Sequence, residues 1–126
     1  MSNKILITGG AGYIGIELTN YLLKKKYKII VLDRFFFNNV ESYIKHPNLK
    51  IIKDDTRKIQ SKYFRGIDIV IDLVALAIAP HGSKFYDEMT MSINFKSRLQ
   101  NAKLAKKMVL KGIFSLLLVV FMVFKK

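Results

Sequence analysis

Three glycines at a spacing of three, Gly9, Gly12 and Gly15, stand in the segment TGGAGYIG, directly after the apolar run Lys4–Thr8 (KILIT). A second apolar run, Lys28–Asp33 (KIIVLD), ends on a carboxylate. The chemistry this pattern suits is the holding of a pyrophosphate. The first glycine permits a tight turn, the second lets the backbone approach the ligand with no Cβ in the way, and the third lets a helix pack closely on a sheet. The anion would lie on the amides that open the helix, those of Tyr13, Ile14 and Gly15, at the positive end of its dipole. Asp33 would accept hydrogen bonds from ribose hydroxyls. Such glycine turns also occur as plain structure. Here the triplet follows a strand, opens a helix and precedes an acid, so dinucleotide binding is the reading we adopt. A carboxylate at Asp33 repels a 2′-phosphate and favours NAD over NADP, while the adjoining Arg34 could accept that phosphate.

These residues need elements to hold them. Lys4–Thr8 and Lys28–Asp33 read as buried parallel strands, Leu49–Lys53 as a third and residues 67–74 (IDIVIDLV) as a fourth. Tyr13 to Lys26 carries apolar residues at mostly helical spacing and closes on lysines, giving a helix near 13–25. Residues 85–107 read as one long helix, with Ile93, Leu99, Ala102, Leu104 and Ala105 as core-facing candidates. Arg34 to Pro47 reads as loop with a weak helix and an exposed-looking triplet, Phe35 to Phe37. Ala75 to Lys84, with Pro80 and Gly82, reads as loop. Alternating strand and helix predict an α/β fold, a Rossmann-type doubly wound parallel sheet cut short after about four to five strands.

Composition narrows the classes. An apolar fraction of 51% supports a packed core and argues against disorder. The absence of cysteine excludes disulfide scaffolds and thiolate metal sites, and two isolated histidines, His46 and His81, suggest no metal. The net charge of +13 invites a nucleic-acid reading. The lysines, however, are scattered and sit mainly where helices end, complementing their carbonyl termini, and no nucleic-acid motif accompanies them. No secretory signal is visible, so a cytoplasmic setting is expected.

Several residues outside the glycine motif support more than one reading. Asp72 reads first as a solvated loop carboxylate and second as a titrating group at a strand end. Asn94 stands open between an amide that holds the site's backbone and a plain surface side chain. His81, after Pro80, reads as a loop residue.

TGGAGYIG, Asp33, the DDTR at Asp54 to Arg57 and IDIVIDLVALA at 67–77 together resemble the extended short-chain dehydrogenase/reductases. Within them, the chain is similar to the NAD-dependent epimerase/dehydratase family that acts on nucleotide sugars, over residues 4 to about 107. The resemblance implies that Asp55 and Thr56 fill the slot whose Asp meets the adenine amine. It also implies that Leu73, Val74 and Ala75 lie under the cofactor, after a position where the family usually has His and this chain has Asp72. Asn94 corresponds to the family's helix Asn. The implied activity is transient hydride transfer to NAD, with a Tyr and a Lys four residues later as acid–base groups. No such pair follows the fifth-strand region here, since Tyr63 and Tyr86 lie too early and lack the Lys. The expectation is therefore the cofactor-binding portion of such an enzyme, with the nucleotide sugar bound only by a full-length relative.

The tail, residues 108–126, is the least enzyme-like part. Its apolar run Ile113 to Phe124 is shorter than the roughly 17–25 residues of a membrane span. Read one base out of frame from the adenine-rich Lys106–Lys107 codons, permitted codons spell NGVKRYIFASSCSVYG, which resembles the family's fifth-strand segment NGVKRFIFASSCSVYG. The tail thus reads as an aberrant frameshift product appended to residues 1–107. It is still apolar and β-branched enough for residues 113–120 to take a fifth-strand place beside the first strand. The rival reading is a non-catalytic membrane-associated or interaction protein that uses the basic face and this tail.

Overall fold

The structure, a computed structural model, describes residues 3–36, 42–76, 84–108 and 111–115. Five strands form one sheet: β1 (Lys4–Thr8), β2 (Lys28–Asp33), β3 (Leu49–Lys53), β4 (Ile69–Asp72) and β5 (Gly112–Ser115). Their order is β3-β2-β1-β4-β5, with parallel pairing throughout. The helices are α1 (Tyr13–Lys24), α2 (Lys84–Met91) and α3 (Ser97–Met108), the last two joined without a break by a π turn, Ser92–Lys96.

Strand side chains alternate between the two faces, and both faces of β1 and β2 are covered, which is why these two strands read as continuous apolar runs. Ile5, Ile7, Ile29 and Val31 pack with Leu23 of α1. Leu6, Ile30, Leu32 and Val70 pack on the opposite face with Phe64, Ile67 and Ala105 of α3. The chain order turns back between β1 and β4, so the carboxyl ends of these two strands diverge into a crevice, the usual ligand position in such sheets.

Four expectations are corrected. The fifth strand lies beside β4, with Ile69 opposite Gly112 and Asp72 opposite Ser115, and not beside β1, whose neighbours are β2 and β4. Residues 116–120 of that expected strand, residues 109–110 and 121–126 of the tail, His81 and Phe37 lie outside the described residues. Leu99 is exposed, because the helix turns a different stripe toward the sheet. That stripe is largely polar: Thr90, Asn94, Ser97, Arg98, Asn101 and Ala105. Phe35 is buried while Phe36 stays exposed, since a left-handed backbone at Phe35 (φ 53°) turns the chain over. Asp72 is no solvated loop carboxylate: it ends β4 and is 1% exposed. Among the described residues, no helix is long and apolar enough to cross a membrane.

Candidate functional site

A cleft of about 530 Å³ opens at the carboxyl ends of β1, β2 and β4. The turn after β1 contributes Gly9 and Gly12, the end of β2 contributes Asp33, and the turn after β3 contributes Asp55 and Thr56. Leu73, Val74 and Ala75 after β4 complete the wall. Gly15 stands one turn into α1, outside this lining, and the exposed side chains of Tyr13 and Ile14 point to solvent. Whatever these two residues offer a ligand in the cleft comes from their amides.

The three glycines of the motif occupy distinct environments. Gly9 adopts a left-handed backbone (φ 70°), and a Cβ there would come 2.6 Å from the Val74 nitrogen. A Cβ on Gly15 would come 2.5 Å from the Gly10 carbonyl oxygen. At Gly12 the nearest atom would be 3.6 Å away, so the motif's second glycine faces open space. Gly12 is also the N-cap of α1, and no side chain caps that helix. The first-turn amides of a helix have no intrahelical acceptor, so they remain available to an anion placed in that space.

Asp33 stands between the glycine turn and the turn that follows β2. One carboxylate oxygen accepts from the Ala11 N–H at 3.0 Å and the other from the Phe35 N–H at 2.9 Å. Tyr43 enters from the other side and donates its hydroxyl to the Gly10 carbonyl at 2.5 Å. Burial, aided by the negative charge of Asp33, pushes the Tyr43 phenol far above the ordinary tyrosine range, so it stays a neutral donor.

Asp55 is gripped by Arg57, whose Nε lies 3.0 Å from both carboxylate oxygens, and Arg34 approaches at 3.4 Å. The Arg34 guanidinium also stacks on the Phe36 ring, 4.5 Å from its centroid. Hydrogen bonding from Arg57 first, and the charges of Arg57 and Arg34 after it, hold the Asp55 carboxyl below its usual range. Asp54 is lowered chiefly by the Tyr63 hydroxyl, which donates to it at 2.6 Å. Groups depressed on folding contribute stability that is present above their unfolded pKa of roughly 4 and lost as pH falls through the folded value. The protein should therefore lose stability below about pH 4. Tyr63→Phe and Arg57→Ala should each flatten that acid limb in urea melts, and an unaltered limb in both variants would contradict this assignment.

Asn94, within the π turn, is buried and holds the wall on which Val74 lies. Its Oδ1 accepts from the Leu76 N–H at 2.8 Å, and its Nδ2 donates to the Leu76 carbonyl at 3.0 Å. The open question over this amide thus resolves toward backbone support. The sequence reading missed Ala11, Phe36, Leu76 and Ile93 as lining residues. Ile93 carried a signal, its position next to Asn94, whereas an exposed phenylalanine beside an acid carries none by itself.

A sequence model of the NAD dependent epimerase/dehydratase family matches residues 5–120. UDP-glucuronic acid decarboxylase 1 of Danio rerio is 33% identical over 107 residues, 82% of this chain and 25% of that protein. dTDP-D-glucose 4,6-dehydratase of Dictyostelium discoideum is 44% identical over 82 residues, 57% of this chain and 19% of that protein. Among solved structures, the UDP-glucuronic acid 4-epimerase of Bacillus cereus, in complex with UDP-glucuronic acid and NAD, superimposes with a TM-score of 0.79 at 25% identity. That superposition spans 89% of this chain and 39% of the epimerase. The chain therefore spans about a quarter of the length of the curated UDP-glucuronic acid decarboxylases from Danio rerio and Xenopus tropicalis that it matches.

Proposed function

The chain belongs to the NAD-dependent epimerase/dehydratase family, and from that premise we propose that it is the NAD-binding N-terminal portion of a nucleotide-sugar epimerase or dehydratase working in the cytoplasm. The observation that carries this reading is the open space at Gly12 in front of an uncapped helix terminus, beneath Asp33 and beside Val74. In it the pyrophosphate lies on the amides of Tyr13, Ile14 and Gly15. Asp33 has two oxygens with about four acceptor sites, so the two backbone amides it serves leave capacity for ribose hydroxyls. Asp55 and Thr56 border the adenine, and Leu73 to Ala75 form the floor toward the nicotinamide. NAD, when bound, supplies a transient acceptor for hydride. NAD is preferred to NADP because Asp33 repels a 2′-phosphate, and Arg34 is drawn toward Asp55 and Phe36. We infer that residues 108–126 are an aberrant tail appended to this portion.

Gly12→Val tests the reading. Gly12 has φ −75° and ψ 169°, extended backbone that valine adopts freely, so the melting temperature should hold. The valine methyl groups would fill the anion's space, and calorimetric affinity for NAD should fall about tenfold or more, the scale of losing an interaction with a charged ligand group. Equal NAD affinity in Gly12→Val and the unaltered protein would remove the cleft as the NAD site.

A further inference from the structure

The polar stripe that the long helix turns toward the sheet has more members than Asn94. Asp72, in the position where the family usually has His, is buried at the end of β4. Its Oδ1 accepts from the Thr8 hydroxyl at 2.8 Å and from the Val74 N–H at 3.2 Å. Asn101, with no exposed surface, brings its Nδ2 to 3.4 Å from the other carboxylate oxygen. The guanidinium of Arg98, itself 7% exposed, donates through Nη2 to the Val74 carbonyl. Val74 is thus held at its N–H by a buried carboxylate and at its C=O by a buried cation. It is also the residue against which Gly9 packs so closely that a Cβ there would come within 2.6 Å of its nitrogen.

We propose that Asp72 and Arg98 are a pair of positioning residues that clamp the Val74 backbone and set the floor of the cleft at a fixed distance from the glycine turn. Thr8 ties the clamp to β1, so the turn that would hold the pyrophosphate and the floor that would hold the nicotinamide share one buried network. Hydrogen bonds with a charged partner are the strong ones, and in a buried setting they give a backbone segment a single position. A loop held this way is preorganised and need not be ordered when a ligand arrives. The functional half of the proposal rests on the reading that this cleft takes NAD; the structural half does not.

The experiment keeps the two apart. Amide hydrogen exchange by NMR on the ligand-free protein reads the clamp directly, and NAD titration reads its consequence. Arg98→Met should speed exchange at Val74 and Leu76 about tenfold or more, the factor for one lost hydrogen bond to a charged donor. Leu6 and Val31 in the sheet should stay as protected as before. Arg98→Lys, which keeps a cationic donor, should recover part of the protection. Asp72→Asn, which keeps an acceptor but presents an amide to Asn101, should show an intermediate effect, and NAD affinity should weaken in the order of loop exchange. Unchanged exchange at Val74 and Leu76 in Arg98→Met would overturn the proposal. So would a uniform loss of protection across the sheet, which is the mark of a merely structural residue. If loop exchange responds while the unaltered protein binds no NAD, the clamp stands and the cofactor reading falls.

Discussion

Gly15→Ala is expected to destabilise the protein by about 3 kcal/mol or more, a fall of roughly 10 °C or more in Tm for a chain of this size. Inside a helix the same exchange ordinarily helps, because alanine has the better helix propensity by up to about 1 kcal/mol. Here the new Cβ would lie 2.5 Å from the Gly10 carbonyl oxygen and 2.6 Å from its carbonyl carbon and Cα. All three are backbone atoms, so no rotamer change relieves the contact. Gly10 has no room to retreat either: its own Cβ position lies 2.8 Å from a Val31 methyl, and its carbonyl accepts from Tyr43. Either α1 lifts from the sheet, opening the cluster around Leu23, or the glycine turn distorts. Gly12→Ala, one turn earlier, meets nothing closer than 3.6 Å and should leave the melting temperature nearly unchanged. Urea midpoints of the two variants side by side decide the matter. A Gly15→Ala protein as stable as the parent would mean that the close approach of helix and turn is not what the third glycine serves.

That contrast also shows where the sequence was informative. The glycine spacing and the closing carboxylate of β2 are local patterns, and β1 and β2 announce themselves because a parallel strand covered on both faces must be apolar along its length, while the edge strand β3 shows through Leu49, Ile51 and Ile52. The bounds expected for those three strands agree with the observed ones. Residues whose roles depend on distant partners were not legible. Asp72 looks like any strand-end acid until Thr8, Val74 and Asn101 are brought around it. Tyr43 sits in an unremarkable loop and acquires its role only by reaching Gly10. Leu99 reads as core-facing because apolar periodicity assumes a helix that faces an apolar core. The loop-supporting polar stripe breaks that assumption, and Leu99 lies off it. The neighbour of β5 is likewise a property of the whole sheet: pairing with β4 follows the path of α3, which residues 112–115 do not encode.

Asp33→Ala is expected to harm stability and ligand binding together, unlike Gly12→Val, which should separate them. The carboxylate accepts from Ala11 in the glycine turn and from Phe35 in the turn after β2, and so joins the two segments that border the same side of the cleft. Hydrogen bonds to a charged acceptor contribute about 1.5–3 kcal/mol each, and because the two share one side chain a combined loss of about 2–4 kcal/mol is the reasonable scale. Phe35 is the more sensitive end. It already holds a left-handed backbone, which disfavours a bulky side chain, and it is buried only because that turn is fixed. Losing the acceptor lets the turn relax and carry Arg34 and Phe36 away from Asp55. On the binding side the same substitution removes the acceptor proposed for the ribose hydroxyls and the charge that would reject a 2′-phosphate. Affinity for NAD should therefore fall at least about tenfold while the ratio of NADP to NAD affinity rises. Asp33→Asn, which is isosteric and keeps one acceptor oxygen, should retain more of the stability than Asp33→Ala yet still lose the discrimination. Thermal melts with parallel titrations of NAD and NADP measure all of this in one set of samples. An Asp33→Asn protein that still prefers NAD as strongly as the parent would show that charge at the end of β2 is not what selects the cofactor, and would move that role to the Arg34–Asp55 pair beside it.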